Sequence, residues 1–295
     1  MPSHKSGFVN IIGNPNVGKS TLMNALVGER LSIITSKAQT TRHRILGIVS
    51  GDDFQVVFSD TPGIIKPAYA LQESMMDFVR TALDDADLIL YMVEIGERAL
   101  KDADFMAYIQ KGNTPVMLLL NKIDTSNQEK LETEVAYWKE TLPNAEIHPI
   151  SALEKFGIES VFTRILELLP EGPAYFPKDQ LTDKPERFFV SETIREKILQ
   201  QYKKEIPYAV EVETESFEEG EDIIRIGAVI MVERDSQKGI IIGHKGNALK
   251  IVGSEARKDL EVFFDKKIFL ELYVKVNKDW RSNARQLKRF GYSNK

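Results

Sequence analysis

The sequence predicts an α/β domain, with a mostly parallel sheet and helices on both faces, followed by a smaller α+β domain. Three observations carry this. Over the first 170 residues, short apolar runs alternate with amphipathic helical patterns. Four of the twelve prolines then fall between Pro170 and Pro185. Proline restricts itself and the residue before it, so this change of texture marks a boundary. Beyond it the strand-like runs are grouped instead of alternating one by one with helices. The expected division is 1–170, an extended Pro-rich linker over 171–185, and 186–295. A chain of 295 residues has room for two cores of that size.

In the first domain the candidate strands are Phe8–Ile12, Gly47–Val49, Gln55–Ser59, Leu88–Val93, Val116–Leu120 and Glu146–Ile150. Helical patterns lie near 71–84, 97–111, 127–140 and 157–169. The second domain reads as a helix over Glu186–Glu205 and two strands, Ala209–Ser216 and Ile223–Glu233, separated by Phe217–Asp222. A glycine-bearing segment, 239–246, then opens a helix to about Phe263, and a strand over Lys267–Val276 precedes a basic tail. The seven acids of Glu211–Asp222 read as a hairpin's solvated face, and Trp138 and Trp280 as packing residues.

Composition excludes several classes. With 42% apolar and 28% charged residues the chain is neither disordered nor fibrous. Having no cysteine, it carries no disulfide, thiolate nucleophile or cysteine-based zinc site. His4, His43, His148 and His244 lack ligand spacing, so no transition-metal site is expected. The opening apolar run, Phe8–Ile12, is too short for a signal peptide, and no stretch approaches the roughly 20 apolar residues of a membrane span. The expectation is a soluble cytoplasmic protein. Its net charge of −5 hides an asymmetry. Residues 1–177 hold 16 basic and 23 acidic residues, whereas 234–295 hold 15 basic and 7 acidic. Basic charge gathered at one end suits either a polyanionic partner or a solvated face.

Gly13-Asn14-Pro15-Asn16-Val17-Gly18-Lys19-Ser20, followed by Thr21, fits the phosphate-binding loop pattern between a strand and a helix. Its glycines let backbone N–H groups turn toward phosphate oxygens at a helix N-terminus. Lys19 would neutralise β- and γ-phosphate charge, and the Ser20 hydroxyl would take one Mg²⁺ position. Asp60-Thr61-Pro62-Gly63 ends a strand, where Asp60 can hold Mg²⁺ through water and the Gly63 N–H can meet a γ-phosphate. A threonine before the second strand should take another Mg²⁺ position; Thr41 is the first choice and Thr40 the second. Lys19, Thr41 and Gly63 are thus the candidate catalytic residues.

Asn121-Lys122-Ile123-Asp124 matches the guanine-specificity motif of GTP-binding proteins. The Asp124 carboxylate can accept hydrogen bonds from guanine N1–H and its exocyclic amine. Adenine lacks that donor pair, and the mismatch costs several kcal/mol, roughly a thousandfold in affinity. Lys122 would lie over the base while Asn121 ties this loop to the phosphate loop. Ser151-Ala152-Leu153 matches the short motif that closes over the base through backbone N–H groups. Where Ras-like proteins carry a water-orienting glutamine, this chain has Ile64, so slow intrinsic hydrolysis is expected.

A second motif is Ile242-Gly243-His244-Lys245-Gly246, with Lys250 on the helix after it. An apolar run, Gly-x-x-Gly and a helix resemble the KH signature, in which the loop clamps the backbone of about four single-stranded nucleotides. Lys275, Lys278, Arg281, Arg285, Lys288 and Arg289 extend a phosphate track or form a solvated helix face.

Motifs and architecture together, with segments Gln39–Arg44 and Arg187–Lys197, resemble the Era family of bacterial ribosome-assembly GTPases over essentially the whole chain. The resemblance implies a P-loop GTPase domain plus a KH domain, with GTP/GDP and Mg²⁺ as cofactors. It also implies K⁺ at the phosphates through Asn16, which otherwise reads as a turn residue. The implied partners are the 16S rRNA 3′ end and the 30S subunit precursor, with no DNA, and the chain is expected to be a monomer. Peripheral inner-membrane association is implied as well, although no amphipathic anchor is visible. The alternative is a KH module whose nucleotide domain senses GTP or GDP with negligible turnover.

Overall fold

The computed structural model describes residues 4–292; Met1–Ser3 and Ser293–Lys295, the outermost residues of the two expected domains, lie outside the described residues. The chain forms two compact units that divide between Asp183 and Lys184, with Tyr69–Leu71 assigned to the second.

The first unit runs β1 (Lys5–Ile12), α1 (Lys19–Val27), β2 (Ile45–Ser50), β3 (Phe54–Asp60), α2 (Ala70–Asp84), β4 (Leu88–Glu94), α3 (Ala103–Lys111), β5 (Val116–Asn121), α4 (Gln128–Thr141), β6 (Glu146–Pro149) and α5 (Ile158–Leu168). Its six strands are ordered β2-β3-β1-β4-β5-β6. All neighbours are parallel except β2, which runs antiparallel to β3. Leu88–Val93 of β4 is buried on both faces, as a strand sandwiched between helical layers must be. The chain leaves β1 for β3 on one side, and β4 lies on the other. That arrangement opens a crevice at the carboxyl end of β1, the place where open α/β sheets bind ligands.

One expectation needs correction in this unit. The helix expected over 97–111 begins at Ala103, capped by Asp102, whose side chain accepts the Asp104 N–H at 3.0 Å. Residues 95–101 are instead a loop, which the Asn14 side chain meets at Glu97, Ala99 and Lys101. The proline-rich stretch is extended but not free. Gln55, fully buried, accepts the N–H groups of Tyr175 (2.7 Å) and Phe176 (2.9 Å). The edge of β2 gives its Ile48 N–H to Leu181 O (2.8 Å) and its Leu46 N–H to Asp183 Oδ1 (2.9 Å). Prolines at intervals remove donors but leave carbonyls, so the stretch can lie along a strand edge.

The second unit runs α6 (Glu186–Gln201), a one-turn α7 (Ile206–Ala209), β7 (Glu211–Glu219), β8 (Ile223–Val232), α8 (Asp235–Ile242), α9 (Asn247–Phe264), β9 (Lys267–Val276) and α10 (Ala284–Arg289). Its sheet is β7-β8-β9, with β7 antiparallel and β9 parallel to β8. The parallel pair requires a crossover, which α8 and α9 provide. Val190, Ile194 and Ile198 of α6 share one core with Ile224, Ile226 and Ile230 of β8 and with Val252, Ala256 and Leu260 of α9. Ile240–Ile242, read as the approach to a loop, is the last turn of α8.

The acidic strand is not simply solvated. Glu211 is buried and accepts the Tyr292 hydroxyl at 2.7 Å, and Glu213 and Glu215 pair with Arg289 and Lys275. Trp138 and Trp280 are both fully buried.

Candidate nucleotide site and nucleic-acid groove

The first site is a cavity of about 630 Å³ at the crevice beside β1, within the usual size for a bound small molecule. The loop Gly13–Gly18 forms one wall because its glycines permit what other residues would not. Gly13 (φ 152°) and Gly18 (φ 106°) occupy the left-handed side. A Cβ would strike Met92 O at Gly13 and Asn121 Nδ2 at Gly18. Gly63 is equally constrained, since a Cβ there would come within 2.7 Å of the Pro15 backbone. The phosphate-loop and Asp60–Gly63 motifs therefore touch.

Lys19 is buried, and its ammonium donates to Gly13 O (3.1 Å) and Asn14 O (2.9 Å). Burial lowers its pKa to about 8, against the opposing charges of Asp60 and Glu97. Asp60, fully buried, has its carboxyl pushed up by burial, with Lys19 and the Ser20 and Thr41 hydroxyls pulling it back. Ser20 Oγ donates to Asp60 Oδ2 at 2.7 Å and lies 2.9 Å from Thr41 Oγ1, which is 3.3 Å from the same carboxylate oxygen. Asp60 Oδ1 is buried without a hydrogen-bond partner among the described residues. Three converging oxygens and an orphaned carboxylate oxygen form the hard donor set that suits Mg²⁺. Thr40 is turned elsewhere: its hydroxyl meets Thr35 Oγ1 and Lys37 O, each at 2.6 Å.

Asn121 joins three loops. Its Nδ2 donates to Val17 O (2.7 Å) and its Oδ1 accepts from Ala152 N (2.9 Å). Ser151 Oγ donates to Asp124 Oδ1 at 2.6 Å, aiming that exposed carboxylate, and Lys122 pairs with Glu94. The Ser151 N–H goes to Phe156 O and the Ala152 N–H to Asn121, so two of the three N–H groups expected to close over a base serve the protein itself.

Of the expected nucleotide residues, Pro15, Asn16, Gly18, Lys19, Ser20, Thr21, Thr41, Gly63, Asn121, Lys122, Asp124, Ala152 and Leu153 line the cavity. Gly13, Asn14, Val17, Asp60, Thr61, Pro62 and Ser151 stand behind it; the Thr61 hydroxyl, for example, donates to Ile11 O at 2.7 Å. Asn16 sits at φ 67° and donates to Ser36 O at 3.1 Å. Ile64 is fully buried, and its N–H meets Gly13 O at 3.0 Å. Sequence reasoning missed Ile33, Ile34, Thr35 and Ser36, which line the cavity without belonging to any motif.

The second site lies on the other unit. Gly243 (φ 71°) closes α8, and a Cβ there would approach Ala248 Cβ to 2.6 Å. Lys245 (φ 50°) and Gly246 (φ 77°) turn the chain into α9. His244 and Lys245 are exposed at the tip, whereas Ile242 packs against the core. Beside the loop a groove of about 350 Å³ runs between α9 and β9. Leu249, Leu270 and Leu272 supply apolar lining, with Lys250 and Arg257 among the lining residues. Of these Leu249 and Lys250 belong to the sequence motif, whereas Leu270 and Leu272 on β9 lie some twenty positions away in sequence. The tail departs from a continuous phosphate track: Lys275, Arg281 and Arg289 pair with Glu215, Glu233 and Glu213. Lys278, Arg285 and Lys288 are exposed and make no ion pair among the described residues.

The chain matches the family described as 50S ribosome-binding GTPase over residues 8–122 and the KH domain family over 205–281. It is 47% identical to the GTPase Era of Alkaliphilus metalliredigens (strain QYMF) over 98% of this chain and 99% of that protein. To the GTPase Era of Staphylococcus haemolyticus (strain JCSC1435) it is 45% identical, covering 99% and 98%. Among solved structures, a crystal structure of Era in complex with MgGDPNP and nucleotides 1506–1542 of 16S ribosomal RNA aligns with a TM-score of 0.94. That chain is 38% identical, with 98% of this chain and 99% of that one covered. Full-length identity at this level, on a P-loop α/β unit followed by a KH unit, places the chain in the Era family of GTPases.

Proposed function

We propose that the chain is a GTP-hydrolysing switch that binds the single-stranded 3′ end of 16S rRNA and assists maturation of the 30S subunit in the cytoplasm. The observation that carries this reading is the cavity in which Lys19, the Ser20–Thr41–Asp60 oxygens and the Asn121–Asp124 loop converge. Lys19 would leave its two carbonyls for the β- and γ-phosphates, and the Gly63 N–H would meet the γ-phosphate. Ser20 and Thr41 would ligate Mg²⁺ directly and Asp60 through water. The ion, when bound, supplies positive charge to the phosphate oxygens. Asp124, aimed by Ser151, would select guanine, with the Lys122 stem over the base. Asn16 would contribute to a K⁺ site. Buried Ile64 offers no side-chain hydrogen bond to an attacking water, so intrinsic turnover would be slow.

The RNA would lie along the α9–β9 groove, its phosphates at Gly243–Gly246 and Lys250, its bases on Leu249, Leu270 and Leu272. GTP would order the segment around Thr40–Thr41, and hydrolysis would release it. Among the described residues no helix is long and apolar enough to cross a membrane. The test is GTP turnover with and without an RNA of the 16S 3′-end sequence. Stimulation supports a switch. Unchanged turnover despite RNA binding would favour a KH module with a nucleotide-sensing domain.

A further inference from the structure

The segment between β4 and α3 belongs to none of the nucleotide motifs, yet it holds two of them. Asn14, in the phosphate loop, is buried, and its side chain turns away from the cavity toward this segment. Its Nδ2 donates to Glu97 Oε1 and, at 2.9 Å, to Ala99 O, while its Oδ1 accepts from Lys101 N at 2.9 Å. The other Glu97 oxygen accepts the Glu94 N–H at 3.2 Å, and the Glu97 N–H returns to Glu94 O at 3.0 Å. Gly96, at φ 90°, makes this reversal. The Glu94 carboxylate in turn pairs with Lys122 of the base-binding loop. One short stretch thus carries the phosphate loop at one point and the base loop at another, and Glu97 is the joint.

Both Glu97 oxygens act as acceptors, one toward each side, and this fixes the chemistry of the position. A glutamine of the same shape would turn one acceptor into a donor facing either the Asn14 amide or the Glu94 N–H. The carboxylate also lies close enough to Lys19 to favour its protonated form, together with Asp60. Burial pushes the Glu97 carboxyl up, while Asn14 and the Glu94 N–H, and then Lys19, stabilise its charge.

We propose that Glu97 is a positioning residue for nucleotide binding, which holds the phosphate loop through Asn14 and the base-binding loop through the Glu94 turn in one register. This rests on the nucleotide reading of the cavity. Glu97 touches no reacting atom, so its loss should raise KM far more than it lowers kcat.

The experiment is a titration of the full chain with fluorescent mant-GDP, alongside steady-state GTP turnover, for the wild type, Glu97→Gln, Asn14→Asp and the double variant. Glu97→Gln should weaken mant-GDP binding about tenfold and raise KM for GTP by a similar factor, with kcat down less than about threefold. Asn14→Asp sets two carboxylates against each other and should cost more. The double variant restores a donor–acceptor pair between the two side chains with reversed polarity and keeps the negative charge, but it sets a carboxylate oxygen against Ala99 O, so its affinity should recover in part, to clearly better than Asn14→Asp alone. That rescue distinguishes a specific joint from general loosening, because an unfolded chain cannot be rescued by a swap. Glu97→Gln binding as tightly as wild type, or a double variant showing the sum of the two losses, would overturn the proposal. A wild-type chain that fails to bind mant-GDP would instead overturn the nucleotide reading itself.

Discussion

Replacing Asn121 by alanine should loosen the nucleotide site by an amount that the structure allows to be worked out. Asn121 is 3% exposed, and its two hydrogen bonds, to Val17 O at 2.7 Å and from Ala152 N at 2.9 Å, are the side-chain tie among three loops. Truncation leaves a carbonyl and an N–H in surroundings where Val17 is 1% and Ala152 3% exposed. Each lost bond removes about 1 kcal/mol net, and partial desolvation of the stranded groups brings the total to about 2–3 kcal/mol. If that energy holds the loops in the binding-competent arrangement, its loss lowers the competent fraction and raises the apparent Kd by about 30- to 150-fold. Stopped-flow mixing with mant-GDP should show the change as slower apparent association, because a smaller fraction of the free protein is competent to bind. A Kd within about threefold of wild type would contradict this. It would mean that the loops keep their register through backbone contacts alone.

Other consequences follow from the same geometry. Thr41→Ala should raise the Mg²⁺ concentration needed for half-maximal turnover and depress kcat, whereas Thr40→Ala should leave that dependence unmoved and cost about 1 kcal/mol of stability, seen in urea unfolding. Because Lys19 titrates at about 8 in the free protein and phosphate charge would raise that value, nucleotide binding takes up a proton above pH 8. Affinity should therefore be level below pH 8 and fall by up to about tenfold per unit above it; a level curve to pH 9.5 would contradict this. Gly246→Asp meets no atom within 4 Å, so it should cost about 1 kcal/mol in backbone strain at φ 77° yet abolish oligonucleotide binding, as circular dichroism and anisotropy would show together. Removing Lys278, Arg285 or Lys288 should each lower the salt slope of RNA binding by about 0.7 where the residue meets a phosphate, whereas removing Lys275 or Arg289, already paired with acids, should not.

What the sequence revealed and what it concealed divide along a physical line. The phosphate loop, Asp60–Gly63 and Asn121–Asp124 are contiguous motifs whose chemistry is local, so residue order alone carries them. The strands of the first unit were readable because burial on both faces leaves them apolar throughout, as in Leu88–Val93. Glu97 was not readable. It becomes important only because the fold brings it to Asn14, 83 residues earlier. The groove lining on β9 was hidden for a similar reason, since Leu270 and Leu272 look like ordinary strand residues until α9 lies beside them. The tail cations read equally as a phosphate track or a solvated face because their acidic partners on β7 are 60 and 76 residues away. Gln55 gave no signal either, being a lone polar residue in an apolar strand. Its burial makes sense only once Tyr175 and Phe176 present their N–H groups to it.

The proposed switch requires that nucleotide state and RNA binding be coupled in one chain. It is tested most directly by the anisotropy of a labelled oligonucleotide of the 16S 3′-end sequence, titrated with protein carrying GDP or a non-hydrolysable GTP analogue. Such a switch should show a difference of about tenfold in affinity between the two states, equivalent to about 1.4 kcal/mol of coupling. Equal affinities in the two states would contradict it, leaving a nucleotide site and an RNA groove that merely share a polypeptide.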